Sequence, residues 1–487
     1  MLAVFAFAVL GAAAVWLGGL NQDEGWYLYA ANLVAEGKML YRDFFYTQGP
    51  GMPRYYRSFT WVWGNWGLLG ARIFTLTLGV AGIGMAMGLA RHLAPEGRKG
   101  EAALVTFLLL GCNLYHLYYV AIPKTYALAS MFVAIGFFLL FVGKKPIFPL
   151  VAGLALAYAA GTRISLGALL CVLGLWLLLS RQWKSLLWFC IGGFGGLALV
   201  YGPYLCDAGA REGLIAAQQY HAARGGFDLV WAVGSLSRLV RWYLPVFIVL
   251  GLGWGIKVKV KGEGEQWNGL NLLLFSFLAV FTVQMLAPFP YEDYQVPVMG
   301  LIAVYAAVNF VRNVNTPPFT FTSHLHLLLV LGLCFANSFG SPLLEKWMTN
   351  GQDRFWSLKK EKCEMAQLRD VAKRIEAQDP GGKTLLTQDL YLAIETGRTV
   401  PRGLEMGPFA MMSDENWKKL LTETAPAECK IAALSGYAFA IEPPVCKERS
   451  IEKQMEYWTL LKRNYKLVDR EESFGQNVTT LLMLKRK

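Results

Sequence analysis

The chain has 487 residues, 55% of them hydrophobic and only 16% charged, with a formal net charge of +12. Repeated apolar runs near ~20 residues exclude a soluble globular protein and indicate a polytopic α-helical membrane protein. No basic repeat or recognition module accompanies the positive charge, so nucleic acid is not an expected partner; basic loops lying against membrane lipids account for it. The eight cysteines are scattered without a CxxC pair, which argues against a metal knuckle or a dithiol redox centre.

About 11 segments have the length and apolarity of spans. They centre near residues 2–20, 66–90, 102–119, 126–142, 147–162, 164–180, 185–204, 243–256, 268–287, 295–311 and 325–342. Only Thr162 and Arg163 separate the fifth from the sixth, which requires a tight turn, and the short eighth run is extended by Arg241 and Trp242. Alternate connections are basic: Arg91, Arg98 and Lys99; Lys144 and Lys145; Arg181 and Lys184; Lys257, Lys259 and Lys261; Arg312. The positive-inside rule places these in the cytoplasm, together with the N-terminus. The other set, residues 21–60, 120–125, 205–240 and 288–294, is then external, as is everything after Pro342. The first run lacks a basic leader, so it reads as a retained helix rather than a cleaved signal peptide.

Beyond residue 343 charges become frequent and spanning runs stop. Residues 343–487 therefore read as a small extracytoplasmic α/β domain attached to a transmembrane module at 1–342. Leu358, Leu368, Val371, Ala372 and Ile375 recur at helical spacing, and the Pro-Gly-Gly at 380–382 ends that helix. KTLLTQ, KIAALSG and TTLLMLKR read as strands, with YLAIETG and IEKQMEYWTLLKRN as helices. Cys363, Cys429 and Cys446 share this region, where an oxidising compartment would permit one disulfide without sequence choosing the pair. The Asn-Val-Thr at 477–479 is a glycosylation pattern of the kind that arises by chance.

The first external loop opens with NQDEGWYLYAANLVAEG. Asn21 and Glu24 have the spacing of a capping box, which would make the acidic pair an ordinary helix start. The alternative divides the pair, with Glu24 capping and Asp23 left for chemistry. Tyr27, Ala31 and Val34 form a modest apolar stripe suited to a helix in the membrane interface.

The stretch DEGWYLYAANLVAEGKMLYRDFFYTQGP resembles the first external loop of GT-C superfamily polyprenol-dependent glycosyltransferases. The nearest likeness is to the bacterial family 39 and RgtA/B/C/D-like enzymes, relatives of protein O-mannosyltransferases and aminoarabinose transferases. VAIPKTYAL, AAGTRISLG, FPYEDYQVPVMGL and TLLTQDLYLAIETGRTVPRGLEMG sit where such enzymes carry similar segments. The chain departs from the pattern at TQGPGMP (Thr47 to Pro53), where many relatives carry a His-Pro segment. The resemblance implies transfer of a sugar, with inversion, from a polyprenyl-phosphate donor to a lipid, glycan or protein acceptor at the outer face of the cytoplasmic membrane. Asp23 is the candidate general base, with Glu24 orienting it or the acceptor, or serving only as the cap.

A departing phosphate calls for cations, and external cations run against the bias that fixed the orientation. Lys124 and Arg163, both in tight turns, lead as substrate-binding residues, followed by Arg238 and Arg241. Arg42, with neighbouring Asp43, and Arg54 and Arg57 are further basic candidates on the first loop. The bland reading of each is snorkelling to lipid headgroups. Tyr291, Glu292, Asp293 and Tyr294 form a polar turn fit for a sugar or acceptor contact, or for an aromatic anchor with solvated acids. His324 and His326 fall on the cytoplasmic side without further ligands, so no metal site and no cofactor is assigned; a divalent metal has no support in the sequence. The glycines of IGGFGG at 191–196 lie within a span and suit close helix packing. A transporter or flippase of lipid-linked saccharides is the rival reading, and the absence of visible internal repeats counts against it.

This topology has a direct check. A reporter fused after Asn350 should be active only outside the cytoplasm. Cytoplasmic activity would make the span count wrong by one and remove the external-domain reading.

Overall fold

In the computed structural model, residues 1–487 are described except 144, 224, 256–263, 314–320, 349–362, 411, 436–450 and 477–478. Lys144, Lys257, Lys259, Lys261, Leu358, Cys446 and most of the Asn-Val-Thr pattern thus lie outside the described residues.

Each apolar segment forms a helix. The elements are α1 (Leu2–Trp16), α2 (Gln22–Ala35), α3 (Gly51–Tyr56), α4 (Thr60–Leu93), α5 (Lys99–Gly111), α6 (Leu114–Ala121), α7 (Thr125–Val142), α8 (Ile147–Thr162) and α9 (Gly167–Leu179). They continue with α10 (Trp183–Cys206), α11 (Ala208–Ala222), α12 (Leu229–Trp242), α13 (Leu244–Gly255), α14 (Gly264–Met285), α15 (Val296–Asn313) and α16 (Phe321–Met348). Among the described residues, four helices are long and apolar enough to cross a membrane, or six with the bent pairs α5–α6 and α12–α13 taken as single spans. Five shorter apolar helices accompany them. The α5–α6 break of 70° falls at Cys112–Asn113, where Asn113 caps α6, and the α12–α13 break is 75°. The first bend falls inside the single apolar run expected at 102–119, whereas the second falls at the expected start of the 243–256 span. Buried along nearly its whole length, α15 is the hub of the bundle. The glycines of the 191–196 segment work as packing surface: a Cβ at Gly192 would overlap the Leu150 carbonyl, and one at Gly196 would crowd Ala157.

The C-terminal part contains α17 (Glu364–Gln378), α18 (Leu390–Thr396), the helix Ile451–Asn464, and a four-stranded sheet. The strands β1 (Leu385–Leu386), β2 (Ile431–Ser435), β3 (Tyr465–Phe474) and β4 (Thr479–Arg486) are ordered β1-β2-β4-β3. β1 pairs parallel with β2, and β4 pairs antiparallel with both β2 and β3. The sequence reading missed β3 because YKLVDREESF has no continuous apolar run; its ends are buried and most of the rest is partly or fully exposed. Cys363 and Cys429 are free thiols.

One corner organises the membrane end of this assembly. Arg72 of α4 is fully buried and grips both carboxylate oxygens of Glu24, at 2.7 and 2.6 Å. Its remaining N–H groups donate to the carbonyls of Val15, Gly18 and Gly19 at the end of α1. Glu24 also accepts from the Asn21 amide, completing the capping box.

The one-sided interfacial helix expected for α2 is not what forms. Its residues are buried on nearly every side, because the C-terminal part lies directly on it. A Cβ at Gly25 would overlap the Tyr391 amide nitrogen. Gln22 donates to Asp389, the Val400 amide donates to the Tyr29 hydroxyl, and Glu364 accepts from the Leu20 amide. Burial raises the Asp389 carboxyl above the ordinary range and pushes Tyr29 up to about 12. Glu395 reaches back to α4, where it accepts from Leu68 N at 2.8 Å. The turn there depends on Gly67, whose φ is +62° and whose missing side chain leaves room for the Glu395 carboxylate.

Removing one partner of a buried ion pair strands the other. Arg72→Met should therefore destabilise the protein by ~3–5 kcal/mol, read as a lowered unfolding midpoint in detergent. An unchanged midpoint would show that the corner is held elsewhere.

Candidate functional site

Every loop assigned by sequence to the non-basic side converges on one cavity of about 580 Å³. Asp23 enters from the first turn of α2, its Oδ1 accepting from Trp26 Nε1 at 3.0 Å. Trp26 stacks on Tyr27 with ring centroids 3.7 Å apart. Burial, reinforced by the Asp23 charge, pushes the Tyr27 phenol far up, so it faces the cavity as a neutral hydroxyl.

Lys124 arrives from the turn before α7 and joins two distant acids. Its Nζ lies 2.9 Å from Asp23 and 3.3 Å from Asp293, and the side chain is only 6% exposed. The Tyr126 hydroxyl donates to the same Asp293 oxygen at 2.7 Å. The rings of Tyr119 and Tyr126 lie 5.7 and 5.2 Å from the ammonium. Two carboxylates and two aromatic faces thus replace the water that a buried ammonium would otherwise lose.

Arg163 follows α8 at its C-cap, in the tight turn the sequence required. Its guanidinium is sandwiched between Tyr126 and Tyr294, 4.9 and 4.5 Å from the ring centroids, and one nitrogen donates to the Thr125 hydroxyl at 3.1 Å. Among the described residues no carboxylate stands within ion-pair distance of Arg163, and its Nε is buried without a hydrogen-bond partner. Arg238, by contrast, is paired with Glu292 at 2.9 Å. Of the cations that line the cavity through long side chains, Arg163 is the one held by rings instead of acids.

The remaining wall comes from α11, α12, the 47–48 segment and the C-terminal part, which contributes Phe409 and Gln476. His221 of α11 sits 2.7 Å from the Thr47 carbonyl, so its Nε2 carries the proton and donates. An imidazole therefore occupies the corner beside TQGPGMP although that segment has none of its own.

Of the residues expected from sequence, Asp23, Lys124, Arg163, Arg238, Tyr291, Glu292 and Tyr294 line the cavity. Four do not. Glu24 is turned into the Arg72 corner, where both of its oxygens are occupied. Arg42 and Asp43 pair with one another at 2.9 Å, and Arg42 reaches Asp207, the cap of α11, at 3.2 Å. Arg42, with help from the Met39 amide, holds the Asp43 carboxyl below its usual range. That cluster fastens the loop to α11 and so places His221. Arg241, on the last turn of α12, is also absent from the lining. Arg54 is spent on the carbonyls of Leu199 and Val200. Asp293, expected only as part of the polar turn, also lines the cavity; Tyr126, His221 and Trp231 were not singled out, since nothing local in the sequence marks them as neighbours of Asp23. Among the described residues no group of three His, Cys, Asp or Glu side chains could hold a metal ion.

No protein-family model matches the sequence, and no curated protein matches it. Among solved structures the chain is similar to ArnT from Cupriavidus metallidurans bound to undecaprenyl phosphate, with TM-score 0.61 and 14% identity over 99% of this chain and 97% of ArnT. Its apo state gives TM-score 0.58 at the same identity and coverage. The archaeal oligosaccharyltransferase AglB from Archaeoglobus fulgidus, in complex with an inhibitory peptide and a dolichol-phosphate, gives 0.47 at 10% identity over 89% and 69% of the two chains. ArnT and AglB are GT-C superfamily polyprenol-dependent glycosyltransferases. The chain shares the fold of ArnT from end to end.

The charge arrangement makes its own prediction. Lys124→Met leaves Asp23 and Asp293 without their common cation and should cost ~3–5 kcal/mol of stability. Adding Asp293→Asn should return part of that loss, measured as unfolding midpoints of the two single variants and the double. Strict additivity would show that Lys124 and Asp293 do not act as a unit.

Proposed function

We propose that the protein is an integral-membrane inverting glycosyltransferase that moves a sugar from a polyprenyl-phosphate donor to an acceptor at the outer face of the membrane. The observation that carries this reading is the Arg163 guanidinium, which has no carboxylate within ion-pair distance among the described residues and is stacked between two tyrosines in the same cavity as Asp23. A partly buried cation with no carboxylate beside it is costly, and a ligand phosphate is the natural group to complete it. ArnT, whose fold the chain shares, is bound to undecaprenyl phosphate, which supports the same class of donor here.

The transfer follows from the lining. Arg163 and Lys124 hold the donor phosphate, with Arg238 at the far side of the polar turn. An acceptor hydroxyl approaches the anomeric carbon opposite the phosphate. As its oxygen bonds to that carbon, its proton passes to Asp23, and the carbon–oxygen bond to phosphate breaks with the electron pair leaving on the phosphate. Attack from the opposite face inverts the anomeric centre. In the unliganded cavity Lys124 is bound to Asp23. A phosphate that draws the ammonium to itself releases the carboxylate for the acceptor, so the donor is expected to bind first. Glu24 contributes by fixing the helix start through Arg72, as a positioning residue rather than a reacting one.

The outer location rests on charge: the connections at the opposite end of the helices carry Arg91, Arg98, Lys99, Arg181 and Arg312. The C-terminal part then lies outside, roofing the cavity. The polar lining suits a hydroxylated acceptor and leaves the sugar and acceptor identities to assay.

Transfer of labelled sugar from synthetic polyprenyl phosphosugars, counted per folded molecule, tests the roles. Asp23→Asn should insert and fold normally yet lose ~10²-fold or more of turnover. Glu24→Gln should lose folded protein instead, with turnover per folded molecule near normal. Near-normal turnover in Asp23→Asn would remove the base assignment. Arg163→Lys keeps the charge but not the planar fork, so donor KM should rise by about tenfold or more while kcat changes less. Unchanged donor kinetics in that variant would reduce Arg163 to a lipid anchor.

A further inference from the structure

Two of the bent helix pairs meet at their breaks. The 70° bend between α5 and α6 lies beside Asn113, and the 75° bend between α12 and α13 lies at Tyr243. Asn113 caps α6 through its side-chain oxygen, which accepts from the His116 amide, while its Nδ2 donates to the Trp242 carbonyl at 3.0 Å. In a continuous helix that carbonyl would accept from Val246, but the Val246 amide donates to the Tyr243 carbonyl instead, at 2.9 Å. A second side-chain amide reaches the same carbonyl from another element: Asn337 of α16 donates to it at 2.9 Å. The next residue, Ser338, spans the other break. Its hydroxyl accepts from the Leu114 amide at 3.1 Å and donates to the Cys112 carbonyl at 3.5 Å. Asn113, Trp242 and Ser338 are all buried. Beside them Tyr115 packs on Trp242 with ring centroids 3.8 Å apart, and His116 Nδ1 lies 3.0 Å from the Tyr243 hydroxyl.

Both bent helices lead from this node to the cavity. α6 is eight residues long, and near its end Tyr119 lies over the Lys124 ammonium while Tyr118 donates to the Gly19 carbonyl. α12 carries Arg238 one turn before Trp242, and Arg238 pairs with Glu292. The adjacent Asp293 meets Lys124, so the two helices are joined a second time through the polar turn. Short helical segments turn as stiff units about their breaks, so the angles held at the node decide where Lys124 and Arg238 stand. Among the described residues α16 adds nothing to the lining of the cavity. Its two polar side chains act on the breaks alone.

We propose that Asn337 and Ser338 of α16 are positioning residues of the anion site: by holding the two helix breaks together they set the spacing of Lys124 and Arg238 across the cavity, and with it the fit of the donor phosphate. This deepens the proposed function and rests on it for the nature of the anion. Neither residue touches the cavity, and Asp23 is placed separately by the Arg72 corner. Loss of the node therefore weakens donor binding and leaves proton transfer largely in place.

Asn337→Leu and Ser338→Ala, singly and together, test this in the full-length protein in phosphatidylethanolamine–phosphatidylglycerol vesicles. Leu331→Ala, which loosens buried packing two turns away on the same helix, is the control. The first measurement needs no ligand. Nitroxides introduced as unnatural amino acids at Val233 and Arg57, both exposed, report the placement of α12 against the first loop. The node variants should shift or broaden that distance distribution, and the control should not. An unchanged distribution, or the same change in Leu331→Ala, overturns the proposal. The second measurement is binding of undecaprenyl phosphate, whose Kd should rise about tenfold in the double variant and stay near normal in the control. Donor KM should rise likewise with kcat per folded molecule little changed; a fall in kcat at unchanged KM overturns the positioning role. On an Arg238→Gln background Asn337→Leu should add little, because the side chain it positions is gone. Full multiplication of the two effects overturns the proposal. If the double variant does not fold, the single variants, each sparing half of the node, carry both measurements. Failure of the unaltered protein to bind undecaprenyl phosphate overturns the lipid-phosphate reading, and the distance measurement then decides the bracing by itself.

Discussion

The structure depends on Arg72. A guanidinium buried in α4 would be untenable in isolation, and it is made stable by saturating it: two contacts with Glu24 and three backbone carbonyls at the end of α1. That set of bonds ties α1, the start of α2 and α4 into one corner. Once Glu24 is fixed there, the preceding residue has one direction left, and Asp23 faces the cavity. The acidic pair is thus divided by geometry. One member is a structural anchor, and the other is presented to whatever the cavity holds.

From that corner the arrangement spreads in two directions. Outward, the C-terminal part clamps α2 through Gly25, Gln22 and Tyr29, and Glu395 reaches the Gly67 turn of α4. The sheet is therefore no detached appendage; it roofs the cavity and adds Phe409 and Gln476 to its wall. Inward, Lys124 links Asp23 to Asp293, while Arg238 meets Glu292 on the same polar turn. Lys124 is shared between two acids and Arg238 is matched by Glu292, whereas Arg163 has no carboxylate within ion-pair distance among the described residues. Aromatic faces stabilise that cation without cancelling it, which keeps it available to an anion.

Much of the architecture was legible in the sequence because its signals are local. Apolar runs located the helices, Asn21 and Glu24 gave the capping box, and Thr162–Arg163 demanded the turn that Arg163 occupies. The glycines at 191–196 announced close packing, which is what they provide. The failures share a physical cause: they involve partners remote in sequence. Glu24 and Arg72 stand 48 residues apart, and Lys124 and Asp293 stand 169 apart. No periodicity connects such pairs. The stripe on α2 was misread for the same reason, since the surface that buries its other faces comes from residues near 390. β3 escaped because a half-exposed edge strand alternates too weakly to stand out from a charged loop.

The central claim is that a lipid phosphate completes Arg163 and draws Lys124 away from Asp23. The most direct measurement is an experimental structure of the protein with bound undecaprenyl phosphate. The account predicts phosphate oxygens within hydrogen-bond distance of Arg163 and Lys124, with the 2.9 Å contact between Lys124 and Asp23 broken. A phosphate seated away from Arg163, or a Lys124–Asp23 pair left intact beside it, would contradict the account.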